Sequence, residues 1–243
     1  MTRYIKRHSL QTRLTHDTIA VCCILLALSG LFVFIPPLAA AVPQGVILAI
    51  RISHRVFGVL FILVPLISAI TAPKGVMHLL RNYFAKWDKD DVVWMKRFIP
   101  YMLGPKKVHM PDQHEVKSGQ RVADGAIMLG ALVMMVTGAL LIAGTSGRGF
   151  HPEMLLVIRL IHDVGFFWIC VFGIAHIYLG SGLFQPYRRT ARLMWGDGKV
   201  SESDALYHWG HWACEEIEKG EQVSDDGVED PRIEKTAGEA TTP

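Results

Sequence analysis

Residues 154–181, MLLVIRLIHDVGFFWICVFGIAHIYLGS, form an apolar stretch long enough to cross a bilayer, yet this stretch contains two histidines. His162 and His176 are fourteen residues apart, so on an α-helix they differ by about 40° in rotation and about 21 Å along the axis. Both imidazoles therefore leave one face, near the two edges of a hydrocarbon core about 30 Å thick. Intramembrane ionisable groups are rare and usually functional, and such a helix could hold two stacked haems. The alternative is that each histidine only hydrogen-bonds a neighbouring helix.

The rest of the chain has the composition of a polytopic membrane protein. Of its 243 residues 51% are hydrophobic and 19% are charged, and the charges cluster so that long uncharged segments remain. We predict an all-α membrane protein, a bundle of four transmembrane helices over about 17–41, 46–72, 119–143 and 154–183, with no internal repeat beyond these spans. The basic start, first apolar run and LAAAVPQ at 38–44 also resemble a cleaved secretory signal, which is the alternative for span one.

The connections between spans predict the orientation. The loop at 42–50 has no charge, and the loop at 144–153 has one basic residue, Arg148. Basic residues are instead concentrated between 73 and 117 and after span four, in QPYRRTAR. Because an excess of Lys and Arg stays cytoplasmic, we expect both termini in the cytoplasm and a multi-pass protein of the cell inner membrane.

Two segments outside the spans are expected to face the cytoplasm. Residues 75–103 mix aromatic and basic side chains, which predicts one or two amphipathic helices on the inner surface, or a solvated connector in the middle part. Residues 201–243 are expected to form a partly disordered tail behind a bundle domain over 1–200.

The histidines pair by depth. Of eleven in the chain, four lie in or at the edge of spans. His16 and His176 belong to the inner half of the membrane, and His54 and His162 belong to the outer half. Each pair could supply both axial ligands of one b-type haem, which would then carry electrons without binding a substrate at the iron.

The haem interpretation also requires room for a porphyrin and has to be compared with other metal sites. Gly30 follows His16 by fourteen residues, so it repeats that face at the outer level and would leave room for a porphyrin, although glycines also allow close helix packing. Zinc would need three or four ligands at one depth, whereas each level offers two histidines. The four cysteines form neither CxxC nor CxxCH, which argues against a zinc ribbon and covalent haem.

Three arginines and one acid lie near the outer pair. Arg51, Arg55 and Arg159 could pair with haem propionates or extend to the interface. Asp163 could orient a neighbour or face water.

The chain resembles the gamma subunit of respiratory formate dehydrogenase, a four-helix dihaem cytochrome b. The segments that carry the resemblance are RLTHDTIAVCCILLALSGLFVFIP at 13–36, RISHRVFGVLFIL at 51–63, SGQRVADG at 118–125, LIHDVGFFWICVFGIAHIYLGS at 160–181 and GKVSESDALYHWGHWACEEIEKG at 198–220. Two positions depart from the family pattern. Lys117 replaces an asparagine, and YHWGHW replaces paired histidines followed by proline.

The resemblance implies two haems b, the outer held by His54 and His162 and the inner by His16 and His176. It implies electrons from an iron–sulfur beta subunit, formate oxidation on a separate molybdenum or tungsten alpha subunit, and reduction of menaquinone or ubiquinone on the cytoplasmic side. Lys117, Gly119 and Gln120 are then the quinone candidates. This chain would carry no residue that oxidises formate.

Two alternatives remain at this stage. The partner enzyme could be a hydrogenase or a thiosulfate or other molybdopterin reductase. The chain could instead be a membrane anchor or transporter without haem. In every case lipid is a partner, and nucleic acid is not expected.

Overall fold

The computed structural model describes residues 2–225 except 105, 146, 148, 185, 186 and 189. Arg148, the basic residue of the loop at 144–153, and the part of the predicted tail over 226–243 lie outside the described residues. In chain order the elements are β1 (Arg3–Lys6), α1 (Leu10–Phe34), α2 (Pro36–Ala40), α3 (Gln44–Thr71), α4 (Pro73–Tyr83), α5 (Lys89–Leu103), α6 (Ser118–Thr145), α7 (Pro152–Gly180), α8 (Arg192–Trp195), β2 (Lys199–Ser201), α9 (Glu202–His208), α10 (Gly210–Lys219) and β3 (Val223–Asp225).

Within the described residues, four helices are long and apolar enough to cross a membrane, as the sequence predicted: α1, α3, α6 and α7, of 25, 28, 28 and 29 residues. Their outward faces carry large apolar side chains such as Ile70, Leu156 and Ile174, which are 79%, 68% and 71% exposed. Exposed apolar surface of this extent is untenable in water and suits contact with lipid. The bundle is therefore an all-α membrane fold.

The first helix differs most from the predicted span. Ser9 accepts a hydrogen bond from the Thr12 amide at 3.2 Å and caps α1, which therefore starts at Leu10, seven residues before the predicted 17. The helix ends at Phe34 because Ile35 precedes a proline and is extended, with φ −102° and ψ 101°. The apolar residues after Ile35 form the separate short helix α2.

The four helices form two antiparallel hairpins, α1 with α3 and α6 with α7, which meet through α3 and α6. The second hairpin repeats the first at an offset of 108 residues: α6 begins at 118 and α1 at 10, and α7 begins at 152 and α3 at 44. An Arg-x-x-His sequence recurs at the same offset, as Arg51 with His54 and Arg159 with His162. The expectation of no internal repeat was wrong, because the hydrophobic residues of membrane helices interchange freely and hide the few shared positions.

Both ends of the described chain fold together at one end of the bundle. Strand β1 lies between β2 and β3 in an antiparallel sheet of order β2-β1-β3. A small apolar core fastens α8, α9 and α10 to this sheet, and we call the assembly the cap. Its buried residues are Ile5, Leu193, Val200, Ala205, Trp209, Trp212 and Ala213.

The cap was not foreseen. Within the tail predicted over 201–243, residues 201–225 are folded as far as Asp225, and strand β2 runs across the predicted domain boundary at 200. The strands are only three or four residues long, and their alternation is too short to be read from the sequence.

The segment 75–103 forms two helices, α4 directly after α3 and α5 against α6. A capping box between Asp88 and Asp91 starts α5. Asp91 also pairs with Arg121 of α6 at 3.0 Å, with both side chains buried, so α5 is fixed to the start of α6.

Candidate functional site

At the cap end of the bundle, His16 of α1 and His176 of α7 face each other. Their ring centroids are 6.1 Å apart and their planes are inclined by 43°. A transition metal binds an imidazole nitrogen at about 2.0–2.1 Å, so two rings that share one metal ion have centroids roughly 6 Å apart. The structure therefore brings together the pair that the sequence assigned to the inner level, at a spacing that suits bis-histidine ligation.

The second ring nitrogen of each of these histidines is held by a carboxylate. His176 Nδ1 lies 2.6 Å from Asp124 Oδ1 of α6, and His16 Nδ1 lies 3.3 Å from Asp17 Oδ1. Histidines that bind metals typically donate their other N–H to such a group, which fixes the tautomer and makes the ligating nitrogen more basic. Nε2 of both rings is thus left for a metal.

The end of the bundle opposite the cap, where α1 connects to α3 and α6 connects to α7, is called the loop end. There the histidines are oriented by hydroxyls. His54 Nδ1 lies 2.9 Å from Ser29 Oγ, and His162 Nδ1 lies 2.8 Å from Thr137 Oγ1. Each hydroxyl also donates to a backbone carbonyl one turn earlier, at 2.6 Å and 2.7 Å. The hydroxyl oxygen therefore accepts from Nδ1–H, and Nε2 carries the free lone pair. Ser29 and Thr137 are themselves 108 residues apart.

The loop-end histidines lie on different helices, His54 on α3 and His162 on α7. Glycine lines both rings: a Cβ on Gly30 would lie 3.4 Å from His54 Cε1, and one on Gly138 would lie 3.5 Å from His162 Cε1. Gly30 therefore lies beside the outer pair, where its position fourteen residues after His16 had placed it. A larger side chain at either glycine would fill the space beside the ligand ring.

The donor set at both levels suits haem better than a bare ion. In the described part of the chain, no three His, Cys, Asp or Glu side chains converge as a metal site. A haem needs only two protein ligands, because the porphyrin supplies the other four nitrogens. At the cap end the facing imidazoles of His16 and His176 match that requirement. At the loop end His54 and His162 each keep Nε2 free, because Nδ1 is held by a hydroxyl.

Asp124 connects the cap-end pair to the surface helix α4. Tyr83 Oη donates to Asp124 Oδ2 at 2.9 Å, and burial, reinforced by that carboxylate, raises the pKa of Tyr83. Sequence reasoning missed Asp124. The available signal was the repeat, since Asp124 stands 108 residues after His16 and so occupies the equivalent place in the second hairpin.

Lys117, the first quinone candidate, is directed into the cap. Its side chain is buried, with Nζ 3.1 Å from His208 Nδ1 and 4.3 Å and 4.6 Å from the ring centroids of Tyr187 and Trp209. Burial holds the pKa of Lys117 well below its usual range. Burial, with the charges of Lys117 and Arg7, lowers the pKa of His208 to about 2. Lys117 and His208 thus form one buried polar pair in an aromatic cage.

The other two quinone candidates lie on the first turn of α6. Gly119 lies directly under the Trp94 ring, which leaves no room for a side chain there. Gln120 Oε1 is buried and accepts no hydrogen bond from the residues that the structure describes. An unpaired buried amide oxygen is costly and suits a ligand that brings a donor. Of the three candidates, Gln120 is the one whose geometry fits a binding role.

Comparison with known proteins agrees with this geometry. A profile of the prokaryotic cytochrome b561 family matches residues 7–197. The chain belongs to this family. Similar curated proteins are the cytochrome b556(Fdn) subunits of nitrate-inducible formate dehydrogenase from Escherichia coli strain K12, Escherichia coli O157:H7 and Shigella flexneri. Each is 24% identical over 230 residues, which cover 93% of this chain and 99% of the relative. The matched region of the family profile includes all four histidines of the two levels.

Proposed function

We propose that this protein is the membrane electron-transfer subunit of a formate dehydrogenase complex and that it holds two b-type haems. The observation that carries the proposal is the pair His16 and His176, with ring centroids 6.1 Å apart and Nδ1 of each ring next to a carboxylate. Membership of the cytochrome b561 family and the names of the relatives support the same function.

The histidine pairs hold the two sites at separate depths. His162 and His176 lie on one helix, fourteen residues and about 21 Å apart along its axis. The haems, when bound, would carry single electrons along this line. The chain's own contribution is to fix the ligand tautomers, through hydroxyls at one level and carboxylates at the other, and to exclude water with its apolar faces.

The direction and partners are proposed from the family resemblance and from the distribution of basic residues. We infer that electrons arrive from a periplasmic iron–sulfur subunit at the loop end, and that formate is oxidised on a molybdenum or tungsten subunit. A quinone, menaquinone or ubiquinone, would be reduced at the cap end, on the cytoplasmic side. The first turn of α6 is the proposed contact, with the unpaired Gln120 Oε1 as the group that would meet the quinone.

Haem content after single substitutions tests the pairing. His162→Ala should remove the loop-end haem only, and His176→Ala should remove the cap-end haem only, each lowering haem per chain from two to one. His151→Ala is the matched control, since His151 is exposed before α7 and its side chain makes no capping bond. The readouts are the reduced-minus-oxidised spectrum and extracted haem. A wild-type chain without a b-type band would refute the proposal, as would unchanged haem in both variants.

The partner enzyme is tested separately, on the intact complex in membranes. Formate should reduce the cytochrome b, and hydrogen should not. Reduction by hydrogen alone would transfer the chain to the hydrogenase type of complex while leaving the haem assignment intact.

A further inference from the structure

Each hairpin carries one arginine at a repeated position near the loop end, and the sequence alone left open whether these arginines pair with haem propionates or extend to the interface. Arg51 lies three residues before His54, and Arg159 lies three residues before His162. On a helix this offset corresponds to about 60° of rotation and about 4.5 Å toward the loop end, so each arginine is on the same side as its histidine, one turn above it. The two arginines therefore flank the loop-end level from opposite helices.

The cap end shows what becomes of arginines at the corresponding place. Arg13 precedes His16 by three residues and donates to the Gly196 carbonyl of the cap. Arg121 precedes Asp124 by three residues and pairs with the buried Asp91. Both cap-end arginines are thus neutralised or hydrogen-bonded by protein groups.

The loop-end arginines have no such partner. In the described ranges, neither Arg51 nor Arg159 makes an ion pair or side-chain hydrogen bond, and both side chains are exposed. Asp163 lies one turn deeper than Arg159 on the same helix and forms no ion pair with it within 4 Å. Both arginines lie seven residues, about 10 Å, inside helices that exceed a 30 Å core by only about 12 Å. With that excess shared equally between the two ends, the arginines lie about 4 Å inside the core, where a charge needs an anionic partner or a route to the interface.

Resting on the dihaem function proposed above, we propose that Arg51 and Arg159 bind the two propionate carboxylates of the loop-end haem, one arginine to each. Arg is suited to this task because its planar guanidinium matches a carboxylate with two parallel hydrogen bonds. Two arginines approach from the two ligand helices, and a haem b presents two carboxylates on one edge. Extension toward lipid phosphate is the competing role for both arginines, and it predicts no change in the loop-end haem when either arginine is replaced.

The test is a potentiometric titration of the intact complex in membranes, with Arg51→Gln, Arg159→Gln and the double variant. An arginine beside a propionate offsets the negative charge that favours ferric iron, so its removal should lower the loop-end midpoint potential. At fixed ambient potential we expect the ratio of reduced to oxidised loop-end haem to fall several-fold, a tenfold fall being about 59 mV for one electron. The cap-end haem should not change.

Arg55→Gln tests the other arginine of α3 beside the outer pair. Its repeat equivalent is Asp163, so it should shift the loop-end potential less than Arg51→Gln, and an equal or larger shift would overturn the assignment to Arg51. Arg51→Lys should shift the loop-end midpoint potential less than Arg51→Gln, because lysine keeps the positive charge and loses only the two parallel hydrogen bonds of the guanidinium. Selective loss of the loop-end haem in the double variant would also support the assignment. An unchanged loop-end midpoint potential in both single variants would overturn the propionate assignment and would favour contact with lipid phosphate. A parent complex without a b-type band would instead refute the proposed function.

Discussion

At the scale of single residues, the two levels differ in what holds Nδ1 of the ligand histidines. Hydroxyls of Ser29 and Thr137 do so at the loop end, and carboxylates of Asp124 and Asp17 do so at the cap end. A carboxylate partner gives the imidazole more anionic character than a hydroxyl does, which favours ferric iron. For the two proposed haems, the chain would therefore impose different ligand fields on otherwise similar sites.

Gly30 offers a residue-scale prediction, because it borders only the loop-end level. Gly30→Leu should remove the loop-end haem and retain the cap-end haem, since a side chain would fill the space within 3.4 Å of His54 Cε1. Haem per chain should fall from two to one in a spectral and extraction assay. Gly45→Ala is the control, because a Cβ at Gly45 meets nothing within 4 Å. Retention of both haems in Gly30→Leu would contradict the placement of this site.

At the scale of elements, the buried pair between α5 and α6 is the contact that positions the surface helices. Asp91→Asn should destabilise the protein by about 3–5 kcal/mol, because it leaves Arg121 charged, buried and unpaired. Thermal unfolding in detergent measures the effect. Glu202→Gln, which breaks the exposed pair with Arg3, should change stability by less than about 1 kcal/mol. Equal losses in the two variants would show that the buried pair has no special role.

The cap offers an element-scale prediction about pH. Burial lowers the pKa of His208 to about 2 and, with nearby cations, that of His8 to about 3, both from 6.5. Between the unfolded pKa of 6.5 and the lower folded pKa of each histidine, the unfolded cap binds protons that the folded cap excludes. The free energy of unfolding is therefore highest above about pH 6.5 and falls as pH decreases. Each histidine should cost up to about 1.4 kcal/mol per pH unit below that point.

Trp209 and Trp212, both buried in the cap, report its unfolding by fluorescence. Chemical unfolding at pH 7.5 and 5.0 should show the loss, and His208→Gln should flatten the pH dependence relative to wild type. Stability that rises on acidification would contradict burial of the neutral histidines.

At the scale of the whole molecule, the cap and the short loops mark opposite ends of the bundle, so the orientation of the protein in the membrane can be tested. The basic helices α4 and α5 and the cap lie together, opposite the two short loops. By the positive-inside rule, a fluorescent protein fused after Pro243 should fluoresce in the cytoplasm, and alkaline phosphatase fused within 146–151 should be active outside. The inverse result for both reporters would reverse the proposed path of the electrons.

The repeat of 108 residues also acts at this scale. The hairpins match at Ser29 and Thr137, at Gly30 and Gly138, and at both loop-end histidines. At the cap end they differ, since His16 is matched by Asp124 and His176 by Ser68. The loop-end site is thus nearly symmetric, whereas at the cap end one hairpin supplies a ligand where the other supplies a carboxylate or hydroxyl.

The sequence by itself determined the four spans and the four histidines, because both depend on local rules: apolar length and the 3.6-residue period. Only the tertiary structure decided which groups hold Nδ1 of each ligand, because Asp124, Ser29 and Thr137 reach their histidines from neighbouring helices. The same holds for Lys117, whose place in the cap depends on His208, 91 residues away. Such contacts arise from packing between distant segments, and no local pattern in the chain encodes them.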